Sequence, residues 1–121
     1  MPNTREKGSR WERVAESFLH DRGLRTVERN YQCRCGEIDL VMLDRTALVF
    51  VEVRYRQSDR FGSGADSVTR PKQRRIISAA RQFLGCNADY RLQPCRFDVI
   101  SIGLRSGTVQ MNWIRGAFEV E

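Results

Sequence analysis

Two runs decide the fold: Gly36-Glu37-Ile38-Asp39-Leu40-Val41-Met42-Leu43, and Ala47-Leu48-Val49-Phe50-Val51-Glu52-Val53-Arg54 close behind it. Both hold too many apolar and β-branched residues for half-exposed strands, so each is read as a strand covered on both faces. A strand so placed keeps a carboxylate only where something charged compensates it. Asp39 and Glu52 therefore need a chemical explanation.

The link between the runs is short. A two-residue turn at Arg45-Thr46 places Asp44 opposite Ala47, Asp39 opposite Glu52 and Glu37 opposite Arg54. Directly opposed residues of an antiparallel pair have Cβ atoms about 4.5–5.5 Å apart, where like charges are destabilising. Two carboxylates at that spacing attract a divalent cation or force one of them to protonate. The turn lacks the glycine that a type I′ hairpin prefers, and an odd-length loop would send the two acids to opposite faces.

The 121 residues are read as a single domain, 1–121, with one core. A content of 40% hydrophobic and 30% charged residues is that of a folded protein, not a disordered one. Lysine and arginine number 21 against 15 aspartates and glutamates, so a polyanion such as nucleic acid is an expected partner. The polar, charged segment Met1–Arg13 carries neither a signal peptide nor a membrane span, and the expected location is cytoplasmic. Cys33, Cys35, Cys86 and Cys95 fall in C-x-C and C-x8-C spacings that match no common zinc pattern. They are expected as reduced thiols, with a zinc clamp or an oxidation-sensitive pair as the other readings. His20, the only histidine, is expected on a helix surface, and no Ser-His-Asp arrangement, Cys-His pairing or phosphate-binding glycine loop is found.

Trp11, Val14, Ala15, Phe18 and Leu19 form the apolar stripe of a first helix, with Gly23 as its C-cap. Thr26 to Tyr31 is a short strand candidate ahead of the hairpin. Tyr55 to Thr69 turns polar and irregular around Phe61-Gly62-Ser63-Gly64, as a loop does. A second helix starts near Thr69-Arg70-Pro71 and runs through Ile76, Ala80 and Phe83 to Gly85. Phe97–Leu104 and Val109–Ile114 read as two more strands around Arg105-Ser106-Gly107. The order α-β-β-β-α-β-β predicts an α/β fold, a mixed sheet flanked by helices.

Asp39, Glu52 and Arg54 have the layout of an acid on one strand and acid-x-base on the next, with Glu52 and Arg54 sharing a face. Phosphodiester hydrolysis calls for a hard cation that lowers the pKa of water and screens the phosphate, and two carboxylates suit magnesium. The pattern resembles the PD-(D/E)xK nuclease superfamily, which includes restriction endonucleases and Holliday-junction resolvases. More closely, the chain is similar to the YraN family of uncharacterised bacterial proteins. The matching stretches are Gly8-x-x-x-Glu12-x-x-Ala15, Arg29-Asn30, Gly36-Glu37-Ile38-Asp39-Leu40, Val49-Phe50-Val51-Glu52-Val53, Phe61-Gly62, Lys72-x-x-Arg75, Arg96-Phe97-Asp98-Val99-Ile100 and Ala117-Phe118.

The resemblance implies a restriction-endonuclease-like fold, Asp39 and Glu52 as ligands of magnesium or manganese, and Glu12 as a third acid. It implies action on structured or branched DNA, and a homodimer, since resolvases of this architecture work in pairs. Arg54 stands where the superfamily motif has lysine; arginine stays protonated and cannot serve as a general base, although it can hold a phosphate or orient a water. The alternative is a nucleic-acid-binding module that keeps the fold with weak or no catalysis. Arg54, Arg56, Arg60, Lys72, Arg74 and Arg75 are the candidate backbone contacts, or else a solvated face. Glu12 also fits a capping box with Ser9, Glu37 with Arg54 a structural ion pair, and Asp39 with Glu52 a strand end reaching solvent. Asp98, one residue into its strand, is expected to be structural.

Overall fold

The expected order of elements is the order observed. In the computed structural model, which describes residues 4–56 and 68–120 with side chains from Arg10 onward, α1 (Thr4–His20) precedes β1 (Arg25–Cys33), β2 (Gly36–Asp44) and β3 (Ala47–Arg56). Then come α2 (Arg70–Cys86), a single 3-10 turn (Ala88–Tyr90), β4 (Cys95–Arg105) and β5 (Thr108–Phe118). The five strands lie in chain order, antiparallel except for β3 and β4, which run parallel with α2 as their crossover. This is an α/β architecture, a mixed sheet flanked by two helices, consistent with a restriction-endonuclease-like fold.

Local chemistry sets the helix ends. Leu24 N–H reaches Leu19 C=O and Gly23 N–H reaches His20 C=O, with Gly23 at φ +95°, so a glycine closes α1 in a Schellman motif as expected. Thr69 caps α2, its hydroxyl accepting the Lys72 N–H at 3.4 Å, and Pro71 occupies the first turn. Because α1 already begins at Thr4, Ser9 lies inside the helix and the capping-box reading of Glu12 fails. β3 runs to Arg56, so Tyr55 and Arg56 belong to a strand rather than to the expected loop; residues 57–67, Arg60 among them, lie outside the described residues.

Each helix covers one face of the sheet. Ile76, Ala79, Ala80 and Phe83 of α2 pack on Ile38, Val41, Leu48, Phe50, Phe97 and Val99. Ala15 and Leu19 of α1 pack on Leu40, Met42, Val49, Val51, Ile100 and Ile102. On that side Trp11 stacks on Tyr55, ring centroids 4.3 Å apart. β2 and β3 are therefore covered on both faces, as their composition predicts. Burying this much apolar surface, at about 25 cal/mol per Å², is the main favourable term holding the helices to the sheet.

Along β3 the alternation is regular: Leu48 and Phe50 face α2, Val49 and Val51 face α1. Along β2 it breaks. Leu40 and Met42 face α1, yet Ile38 faces α2. The break falls at Asp39, and across on β1 it falls at Asn30, between the pairs Arg29↔Leu40 and Tyr31↔Ile38. Asn30 has φ +50°, the left-handed region that asparagine tolerates better than most residues.

A second buried polar group supports the far side of the sheet. Asp98, fully buried, accepts from Arg96 Nε at 3.1 Å on each oxygen, from Trp113 Nε1 at 2.9 Å and from Gly116 N–H at 3.0 Å. Arg96 also reaches Asp44 at 2.9 Å. This network ties β4 to β5 and to the end of β2, the structural role expected for Asp98. Among the described residues no helix is long and apolar enough to cross a membrane.

Candidate functional site

The turn at Arg45-Thr46 has two residues, Arg45 taking φ +60°, and Asp44↔Ala47 to Leu40↔Val51 pair in the register the sequence predicts. The ladder ends at Leu40↔Val51. Asp39↔Glu52 and Glu37↔Arg54, expected as the next paired positions, are not ladder partners; Glu37 pairs instead with Gln32 of β1, and Arg54 with Ser101 of β4. The physical reason is the kink at Asn30 and Asp39, which turns the start of β2 away from β3.

The opening is where the acids meet. The Asp39 carboxylate enters the gap and accepts the Val53 N–H at 2.8 Å, replacing a main-chain carbonyl that the kink removes. Its other contacts are carboxyls: Glu12 of α1 and Glu52 of β3 both lie within hydrogen-bonding reach of it. With its amide nitrogen turned toward Glu12, Asn30 donates to both oxygens of that carboxylate at 3.0 and 3.1 Å. Glu52 is 7% exposed and accepts an ion pair from Lys72 Nζ of α2 at 3.0 Å. The three acids named from the sequence are therefore one cluster, drawn from a helix and two strands.

Like charges packed so closely cannot all stay ionised at low cost. Burial pushes Asp39 up to about 7, reinforced by the charge of Glu12, while the Val53 N–H pulls the other way. Glu52 rises to about 7 from burial and the charge of Asp39, with Lys72 opposing. Glu12 is also raised, first by burial and then by the charges of Glu37 and Glu52. Carboxyls in such contact must share protons or a cation. The donor set fits a hard divalent ion in kind, all oxygen and short of positive charge, with Glu12, Asp39 and Glu52 as its holders. In the arrangement observed, no three such side chains among the described residues converge as a metal cage, so holding an ion requires the carboxyls to turn from one another toward it.

The basic residues divide. Lys72 touches the cluster, and Arg75 lines a neighbouring groove of about 510 Å³ together with Arg34, Glu37, Cys33 and Cys35. Arg74 is exposed, and Arg54 and Arg56 are half-buried on β3. A smaller pocket, about 140 Å³, opens on the α1 side between Glu12, Glu16, Arg29, Asn30 and Asp39. In place of the expected single cleft with acids at its floor and cations at its rim there are two separate hollows, one lined by Lys72 and Arg75, the other by Glu12 and Asp39.

Sequence reasoning missed three contributors. Asn30 was legible only as part of the Arg29-Asn30 match. Glu16, one helical turn after Glu12, is 6% exposed and accepts from Arg29 Nε at 3.0 Å and from the Thr26 hydroxyl; its spacing from Glu12 was the available signal. Arg34 sits in a turn whose partner helix is distant in sequence. His20 is on the surface as expected, bonded to Thr26 at 2.7 Å.

A profile of the uncharacterised protein family UPF0102 matches residues 11–102. A UPF0102 protein of Nitrosococcus oceani is 50% identical over 117 residues, covering 97% of this chain and 94% of its own. Others from Saccharophagus degradans (49%) and Stutzerimonas stutzeri (45%) each align with 98% of this chain and with 97% and 99% of their own. The matched span contains every acid of the cluster.

Proposed function

The chain belongs to the uncharacterised protein family UPF0102, and we propose that it is a metal-dependent nuclease-like protein acting on structured or branched DNA. The observation that carries this reading is the contact of Glu12, Asp39 and Glu52 at the opening between β2 and β3, with Lys72 against Glu52. A bound magnesium or manganese ion would supply Lewis acidity and a water acidic enough to ionise near neutral pH. The chain's own residues supply the rest. Asp39 is anchored by the Val53 N–H and Glu12 by the Asn30 amide, and from these anchors the carboxyls would turn toward an ion.

Arg54 cannot act as a base; the Lys72 ammonium, 3.0 Å from Glu52, brings a lysine to the acids from α2, where it offsets negative charge and would act as a base only after losing its proton. Lys72 and Arg75 face the larger groove, where cations suit a phosphodiester backbone. Arg54 favours the second reading, a DNA-binding module with weak or no catalysis.

The test incubates purified protein with four-way-junction, single-stranded and duplex DNA, with magnesium, manganese or chelator. Cleavage that needs the metal and is lost in Asp39→Ala supports the nuclease. Salt-sensitive binding without cleavage supports the module, and neither binding nor cleavage refutes both.

A further inference from the structure

Between β1 and β2 the turn Arg34-Cys35 brings two thiols together. The sulfurs of Cys33 and Cys35 are 2.9 Å apart, and a disulfide at about 2.0 Å lies within a small side-chain rotation of that arrangement. Both residues are half-buried yet line the larger groove, where small solutes reach them. They differ in character. The Cys35 thiol beside it, helped by main-chain groups of Cys35 and Gly36, lowers the Cys33 pKa, while the same contact raises that of Cys35. One sulfur is thereby the readier thiolate and the other its protonated partner. A zinc clamp, the competing use, needs further ligands, and no group of three His, Cys, Asp or Glu among the described residues provides them.

We propose that Cys33 and Cys35 are a redox modification site that closes to an intrachain disulfide when the protein meets a hydroperoxide. The Cys33 thiolate attacks the peroxide, the O–O bond breaks, and the leaving oxygen departs protonated, as water or an alcohol. The resulting sulfenic acid is attacked by the Cys35 sulfur, and its hydroxyl leaves as water with the Cys35 proton. In sum, two thiols and one hydroperoxide give one disulfide, one water and one alcohol (a second water for hydrogen peroxide). Two electrons pass from sulfur to oxygen, and a dithiol reductant reverses the change by exchange.

The turn has little slack. Gly36 lies so close to α2 that a Cβ there would stand 2.6 Å from the Arg75 carbonyl oxygen. A main-chain shift of Gly36 toward α2 on closure would therefore be felt in the first turns of α2, which carry Lys72. This last consequence rests on the reading of the acid cluster above; the disulfide itself does not.

Fully reduced full-length protein is treated with hydrogen peroxide, alkylated, and cut by a glutamate-specific protease so that the segment after Glu28 through Glu37 stays in one piece. The expected product has lost two hydrogens, resists alkylation at both cysteines and regains it after a dithiol, while Cys86 and Cys95 remain alkylated. In Cys35→Ser the reaction stops at a sulfenic acid on Cys33, trapped by dimedone. Oxidation of the exposed Cys86 ahead of this pair, or a bridge from Cys33 to Cys86 or Cys95, overturns the proposal. The mapping needs no variant and reads the thiols whether or not the protein cleaves DNA.

Discussion

The Asp39 carboxylate accepts the Val53 N–H at 2.8 Å, just beyond Leu40↔Val51, the last pair of β2 and β3. A side chain thus takes over a main-chain hydrogen bond at the point where the sheet opens, and that bond holds the acid among other acids.

The charge is costly, and its pH dependence has a definite sign. Asp39 and Glu52 rise to about 7 from ordinary values of 3.8 and 4.5. Between about pH 4 and pH 7 the folded state therefore binds more protons than the unfolded chain. Stability from these groups is full below about pH 4 and is lost as pH rises through about 7. Asp39→Asn keeps an acceptor for Val53 but removes the charge. It is expected to be more stable than the parent near pH 8, by on the order of 2 kcal/mol, and to lose that advantage near pH 5. Thermal melting at the two pH values checks this; an equal shift at both would show that buried charge is not the cause.

Lys72→Met tests the other face. Near pH 8 it removes the partner of an ionised Glu52 and is expected to cost about 1 kcal/mol, a modest figure because Lys72 is half exposed. Near pH 5, where Glu52 holds a proton, the cost should nearly vanish. Its groove also loses a cation, so the salt dependence of DNA binding should flatten. Chemical denaturation and binding at two ionic strengths read both effects.

Arg54→Lys restores an ionisable amine to the strand position. Metal-dependent cleavage of branched DNA is expected to rise severalfold over the parent in a gel assay. A fall in rate with unchanged folding would instead make the guanidinium the better fit to the phosphate.

Asp98→Ala leaves Arg96, Trp113 and Gly116 N–H without their shared acceptor. A loss of about 3–5 kcal/mol is expected, as for other broken buried ion pairs. The melting temperature reads it, and Trp113 emission should shift as the indole N–H loses its partner.

Much of this was written in local pattern. Two-sided burial of β2 and β3 followed from their unbroken apolar runs, and the hairpin register from a two-residue link. Gly23 and Thr69 ended and began their helices by ordinary capping chemistry. What could not be read was the kink. It depends on a left-handed Asn30 on a strand that looked weak, and its effect appears one strand away, at Asp39. The contacts of Lys72 with Glu52 and of Gly36 with Arg75 join positions separated by a long crossover, and neither has a local signature. Glu12, Asp39 and Glu52 do lie together; that they meet through an opening in the sheet, rather than across a rung of it, is a tertiary fact.

The Trp11–Tyr55 stack acquires a use from its place in the chain. Trp11 is the neighbour of Glu12, and Tyr55 lies three residues past Glu52. If an ion drew those carboxyls inward, a movement passed on to Trp11 would alter its stacking and its emission. The protein thus carries one tryptophan next in sequence to an acid of the cluster and a second, Trp113, beside the Asp98 network, so the two indoles would respond differently to a change at the acids.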